Sequence, residues 1–204
     1  MNTWFTSDMH FGHANIIRYS HRPFRDLVHM HAGLIERWNE VVQPEDTVWV
    51  LGDVAMGVIG ESLAFVGRLN GRKLLLAGNH DRCWAFHGPK HEPWIQRYQD
   101  AGFDEIHQGQ MPLDVEGHMV ELCHFPYRGD SQYEDRYLEA RPVDTGAWLL
   151  HGHVHETWKQ WGRMINVGCD VWDYRPVAAS ELAALLTNGP ADRDIQEQTV
   201  RGAP

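Results

Sequence analysis

Lys73-Leu74-Leu75-Leu76-Ala77-Gly78-Asn79-His80-Asp81 is the stretch that decides the fold. Its first half is an apolar run of strand length, which reads as a buried β-strand. Gly78 then lets the backbone turn sharply. An amide, an imidazole and a carboxylate follow at the strand's C-terminal end, where open α/β sheets place their ligands. That trio suits metal chemistry or acid–base work, although an Asn/Asp-rich turn reads the same way when taken alone. Repetition decides between them. Asp8-x-His10, Gly52-Asp53, His124 and Gly152-His153-x-His155 are four more fragments of this kind, each closing an apolar run.

Towards the N-terminus, Thr3 to Ser7 is predicted as a strand. Along an extended chain Asp8 and His10 then fall on one side, with Met9 opposite. The polar loop from Phe11 includes His13, Arg18 and Arg22. Asp26 is expected to cap a helix running to about Val42, with Leu27, Met30, Leu34, Trp38 and Val41 as its apolar stripe. His29 and His31 lie off that stripe and are expected to face solvent. Thr47 to Leu51 is a second strand, ended by Gly52-Asp53. A short helix from Glu61 to Leu69 and an Asn70-Gly71 turn lead back to the opening stretch. The order β-α-β-α-β, with long connections, suits parallel crossovers.

Towards the C-terminus, a helix is expected from about Pro93 to Ala101. Met111–Val115 and His118–Leu122 flank Glu116-Gly117 as a β-hairpin. Ala147–Leu150 and Met164–Gly168 read as strands, and Ser180 as the cap of a helix from Glu181 to Leu186. Residues 1–187 form one expected domain, and 188–204, with little periodicity, an expected frayed tail.

Composition narrows the function classes. With 204 residues, 43% hydrophobic and 23% charged, the chain reads as globular and soluble. No run approaches a membrane span, and no signal peptide is visible. Cys83, Cys123 and Cys169 form no Cys-x-x-Cys pair, which argues against a disulfide framework or a zinc ribbon and for a reducing cytoplasm. The net charge of −10, with no basic tail or Lys/Arg run, argues against tight non-specific nucleic-acid binding by bulk charge. Bound divalent cations would concentrate positive charge in one cleft and could draw in an anionic substrate.

Oxygen and imidazole donors suit Mn, Fe, Co, Ni or Zn, with no thiolate needed. The five fragments hold enough ligands for two ions, and one aspartate can bridge them. Such a pair clamps the attacking and leaving oxygens of a displacement at phosphorus, and a water held between the cations becomes a hydroxide nucleophile near neutral pH.

With these motifs in this order, the chain resembles the calcineurin-like metallophosphoesterases. The likeness runs from Asp8 to His155. It implies an α/β fold of two packed β-sheets flanked by helices (an αββα sandwich), with the site at the strand C-terminal ends. It also implies that Asp8, His10 and His155 bind one ion, that Asn79, His124 and His153 bind the other, and that Asp53 bridges. His80 matches the family's non-ligand histidine, which contacts phosphate and protonates the leaving group. Asp8-Met9-His10-Phe11-Gly12-His13-x-Asn15-Ile16-Ile17, with Arg22-Pro23-Phe24, resembles a small bacterial and phage branch of predicted phosphohydrolases. Many members carry a second polar residue three positions after the bridging aspartate. Here that residue is Met56, so substrate class does not carry over.

The implied activity is hydrolysis of a phosphomonoester or phosphodiester with two divalent cations, manganese first. Small phosphoesters, nucleotides or single-stranded nucleic-acid ends are the implied substrates. The alternative is a non-catalytic binding or scaffold protein that keeps the fold. His13 is read as a substrate or loop residue. Arg18, Arg22, Arg82 and Arg128 are read as phosphate contacts or, more simply, surface residues. His151 is read as a packing residue.

Overall fold

A computed structural model describes residues 1–131 and 134–193. It is a mixed α/β structure with two five-stranded sheets. The first sheet holds β1 (Thr3–Thr6), β2 (Thr47–Val50), β3 (Arg72–Leu76), β4 (Glu105–His107) and β10 (Val177–Ala178), in the order β10-β1-β2-β3-β4. β1 to β4 are parallel, and β10 closes the edge antiparallel to β1. The second sheet holds β5 (Gln110–Val115), β6 (His118–Cys123), β7 (Trp148–His151), β8 (Gln160–Trp161) and β9 (Met164–Asn166), in the order β5-β6-β7-β9-β8. β6, β7 and β9 are parallel, with an antiparallel strand at each edge.

Side-chain alternation explains why the runs are apolar throughout rather than at every second position. Val48, Val50 and Leu75 pack in one cluster with Met30, Leu34 and Trp38 of α2 (Leu27–Val41). Their neighbours Trp49, Leu51, Leu74 and Leu76 join a second cluster with Val120 and Leu122 of β6, Leu150 of β7 and Ile165 of β9. Leu182 and Leu186 of α5 (Ala179–Asn188) belong to that second cluster. Strands β2 and β3 are therefore buried on both faces, and one apolar layer is shared by the two sheets.

The Asp26 cap is formed: its side chain accepts from the His29 N–H at 2.8 Å. The hairpin turn at Glu116-Gly117 has φ of 51° and 88°, the left-handed pair that a two-residue hairpin needs. Other expectations are corrected. The polar loop contains a six-residue helix, α1 (Ala14–Tyr19). The helix expected over Glu61–Leu69 is a four-residue turn, α3 (Ile59–Ser62), followed by a 3₁₀ segment, Leu63–Arg68. Leu63, Val66 and Leu69 are buried at steps of three, which is the 3₁₀ period. Ser180 lies inside α5, whose N-cap is Ala178 without a side-chain bond. Between them, α4 (Glu92–Ala101) has Pro93 in its first turn. Ala191 forms a bridge with Gly162, and residues 194–204 of the expected tail lie outside the described residues. Among the described residues, no helix is long and apolar enough to cross a membrane.

Candidate metal centre

β1, β2, β3, β6 and β7 each deliver a polar fragment within four residues of the strand's last residue. Convergence does not come from strand alternation, as expected for Asp8 and His10. Both residues lie beyond β1 in left-handed backbone, with φ of 58° and 53°. Asp53, His153 and His155 do the same, at 55°, 72° and 48°. A non-glycine residue there costs about 1–2 kcal/mol, so each side chain is turned out of the strand direction at a local cost. Gly78, expected to let the backbone turn sharply, is not among the positive-φ residues. A Cβ there would lie 2.6 Å from Asp53 Oδ1 and 2.7 Å from His124 Nδ1, so close approach is what requires glycine.

His10 Nε2 and His155 Nε2 stand 3.1 Å apart, and Asp8 Oδ1 is 4.0 Å from the first and 3.8 Å from the second. His124 Nε2 and His153 Nδ1 each lie 3.1 Å from Asn79 Oδ1. Asp53 Oδ2 sits between the two groups, 3.7 Å from His10 Nε2 and 3.6 Å from His124 Nε2. Donor atoms of Asp8, His10 and His155, and of Asp8, Asp53 and His124, fall within 4.8 Å of one another. His80 stands at the open side with its side chain 38% exposed and Nε2 3.9 Å from Asp53 Oδ2; its backbone N–H donates to Asp53 Oδ1 at 2.9 Å. His13 packs its ring 5.4 Å from that of His10.

The far nitrogens of the imidazoles decide what the near ones can do. His124 Nδ1 is 2.7 Å from the Leu51 carbonyl, which can only accept, so the proton sits there and Nε2 keeps its lone pair. His153 Nε2 is 3.0 Å from Asp130 Oδ2, which leaves Nδ1 as the lone-pair nitrogen facing Asn79. His155 Nδ1 is 3.3 Å from Ser20 Oγ. Such partners orient metal-binding histidines generally. Neutral imidazoles, carboxylates and an amide oxygen make a set that fits a divalent transition cation.

Electrostatics point the same way. Burial pushes Asp8 up to about 7, with His124 opposing and the Asp53 carboxylate adding to the push. Burial likewise takes Asp53 to about 7, against the His80 backbone N–H and Arg136. Burial lowers His10 and His124, and brings His153 to about 3 and His155 to about 4. Two enclosed carboxyl groups beside neutral imidazoles, with only the more distant Arg136 named against one of them, are short of positive charge that a cation would supply.

Several residues do work that sequence reasoning missed. Asp81, grouped with Asn79 and His80 as reactive, is a buried tie: it accepts from the N–H groups of Asp53, Val54 and Gly78 at 2.9–3.0 Å and from Tyr98 Oη at 3.2 Å. Arg22, read as a phosphate or surface residue, is buried. It donates to Asp170 through Nε and Nη2 at 2.8 Å each, and to the carbonyls of Asp8 and Met9 at 2.6 and 2.9 Å. It clamps the left-handed kink from behind. His31 accepts from the Gly12 N–H at 2.9 Å and packs on Phe65, so it organises the loop after His10 rather than facing solvent. His151 is buried against Trp158, with Nδ1 beside the Gly152 carbonyl. Arg18, Arg82 and Arg128 are exposed; Arg18 lies over Tyr19 and Arg128 over Trp161. No spacing signal marks Asp130, one acid among several in a polar connection.

No family model matches the chain. The Gene 66 protein of Mycobacterium phage D29 is 39% identical, over 84% of this chain and 89% of the phage protein. The Gene 66 protein of Mycobacterium phage L5 is 36% identical, over 92% of this chain and 95% of its own length. Among solved structures, AQ665 of Aquifex aeolicus, described as a protein of unknown function, is 27% identical with a TM-score of 0.67, covering 90% of this chain and 98% of that one.

Proposed function

The chain belongs to the family of the mycobacteriophage Gene 66 proteins, and we propose that it is a metal-dependent phosphoric ester hydrolase with two divalent cations. The observation that carries this reading is the pair of donor groups meeting at Asp53, whose Oδ2 lies 3.7 Å from His10 Nε2 and 3.6 Å from His124 Nε2. Asp8, His10 and His155 would hold one cation, Asn79, His124 and His153 the other, and Asp53 both. When bound, such a pair lowers the pKa of a water to near neutrality and offsets charge on phosphoryl oxygens.

The chain's own residues do the rest. His80 would hold a ring N–H against a phosphoryl oxygen and give a proton to the departing oxygen. Its backbone bond to Asp53 ties it to the residue that would serve both cations. The apolar layer between the sheets, with α2 on one outer side, supports the αββα layering that the motifs imply. Manganese leads the candidate metals, followed by Fe, Ni, Co and Zn. Small phosphoesters, nucleotides or single-stranded ends are the proposed substrates. A reducing cytoplasm is the proposed setting, where Cys83, Cys123 and Cys169, all buried and unpaired, would stay thiols.

The test is metal-stripped protein given Mn, Ni, Co, Zn or Mg and assayed on mono- and diesters beside Asp53→Ala. The expected result is metal-dependent hydrolysis, lost in the variant together with occupancy of both positions. Two tightly bound ions in Asp53→Ala would remove the bridging role.

A further inference from the structure

We propose that Asp130 is a positioning residue that governs occupancy of one of the two cation positions; this rests on the reading that His153 is a ligand. Among the described residues, His153 alone of the four imidazoles assigned to the cations has an acid behind its far nitrogen. His124 has a carbonyl there and His155 a hydroxyl. The far nitrogen of His10, Nδ1, is buried without a partner.

Asp130 is itself held on all sides. Its side chain is fully buried. Oδ1 accepts from Arg136 Nη2 at 2.7 Å and Nε at 3.2 Å, and from Ser131 Oγ at 3.3 Å. Oδ2 accepts from Arg141 Nη2 at 3.0 Å, from the Arg136 N–H at 3.1 Å, and from His153 Nε2. Burial alone would raise this carboxyl; the bonds from His153 and Arg136 outweigh it and hold the group well below the usual carboxylate range. Arg141 is anchored in turn on the carbonyls of Pro126, Gly129 and Arg136. The carboxylate is thus rigidly mounted and cannot swing away from the imidazole.

Two consequences follow for the position formed by Asn79, His124 and His153. That position has a neutral amide where the other has Asp8, so it depends more on the electron density of its imidazoles. An ionised partner on Nε2 raises the basicity of Nδ1. The same carboxylate also screens the site from Arg136 and Arg141. Removing its charge leaves two guanidinium groups facing a site that must take a cation.

The test is calorimetric and elemental titration of the stripped full-length protein with Mn²⁺. Wild type should take up two ions. Asp130→Asn should keep one at wild-type affinity and bind the second about 10–100-fold more weakly. His155→Ala should weaken the opposite ion. Arg136→Gln, which removes a cation but spares the His153 contact, should retain both. Nitrogen-15 spectra of the Zn²⁺-loaded wild type give a readout that needs no variant: His153 should carry its proton on Nε2. Equal two-site binding by Asp130→Asn overturns the inference alone, and a His153 proton on Nδ1 overturns it together with the ligand role of His153. A wild type that takes up no cation overturns it together with the metal reading beneath it.

Discussion

His80 is the residue whose chemistry can be separated from metal binding. Its ring is partly open to solvent, while the seven proposed ligands hold their donor atoms inward. Burial lowers its pKa, opposed by Asp81, so the free site favours the neutral ring at pH 7. An anionic phosphoryl group beside it stabilises the imidazolium and restores an acid. His80→Ala should therefore keep both cations and lose about 10²–10⁴-fold on alkyl phosphoesters. The loss should be far smaller on nitrophenyl esters, whose leaving group departs without a proton. The alkaline fall in the alkyl-ester pH profile should vanish as well. Side-by-side assays at matched metal content check this, and equal losses on both ester types would reduce His80 to a phosphate contact. That these residues gather in one place was legible because an amide, an acid or a histidine after each apolar run is a local pattern. Their conformation was not, because left-handed backbone at Asp8, His10, Asp53, His153 and His155 is imposed by neighbours distant in sequence.

Arg22 and Asp170 join the segment after α1 to the turn after β9, 148 positions apart. The pair is buried, so taking away one charge strands the other, at a cost of about 3–5 kcal/mol. Arg22→Met should lower the melting temperature by roughly 10 °C for a chain of this size. It should also loosen the cation near Asp8, whose carbonyl Arg22 holds. Asp170→Leu added to Arg22→Met should recover most of the stability but not the metal affinity, which scanning calorimetry and metal titration would read separately. Partners at such separation leave no trace in periodicity, so Arg22 read as surface. Long apolar runs and one of the two expected side-chain caps were readable: β2, β3, β7 and the Asp26 cap stand close to where they were expected, whereas Ser180 caps nothing. The two- and three-residue strands β4, β8 and β10 were not, since only their pairing with a neighbouring strand makes them strands.

For the whole molecule, the enclosed charges set how stability depends on pH. Asp8 and Asp53 titrate at about 7 in the folded protein, against about 3.9 in an unfolded chain. Without metal, the folded form holds protons that the unfolded form has shed, so this contribution falls as pH rises towards and through 7. His10, His124, His153 and His155 are depressed, and run the other way: their contribution grows as pH rises through about 6.5, where the unfolded imidazoles lose their protons. Above pH 6.5 the unfolded imidazoles shed their remaining protons while the folded carboxyls shed theirs, so the two contributions oppose each other there. Stripped protein should therefore melt at nearly the same temperature at pH 6.5 and pH 8, and saturating Mn²⁺ should raise both values. Calorimetry checks it, and a melting temperature that Mn²⁺ leaves unchanged contradicts it. The sheet order has one more consequence, for the time course of synthesis. β1 lies between β10 and β2, and Arg22 waits for Asp170. A ribosome adding about 5–20 residues per second needs on the order of ten seconds or more to pass between those two codons. Through that interval Asp8 and His10 are made but lack this support, so the nascent chain acquires its full cation-binding capacity only after Asp170 has been added.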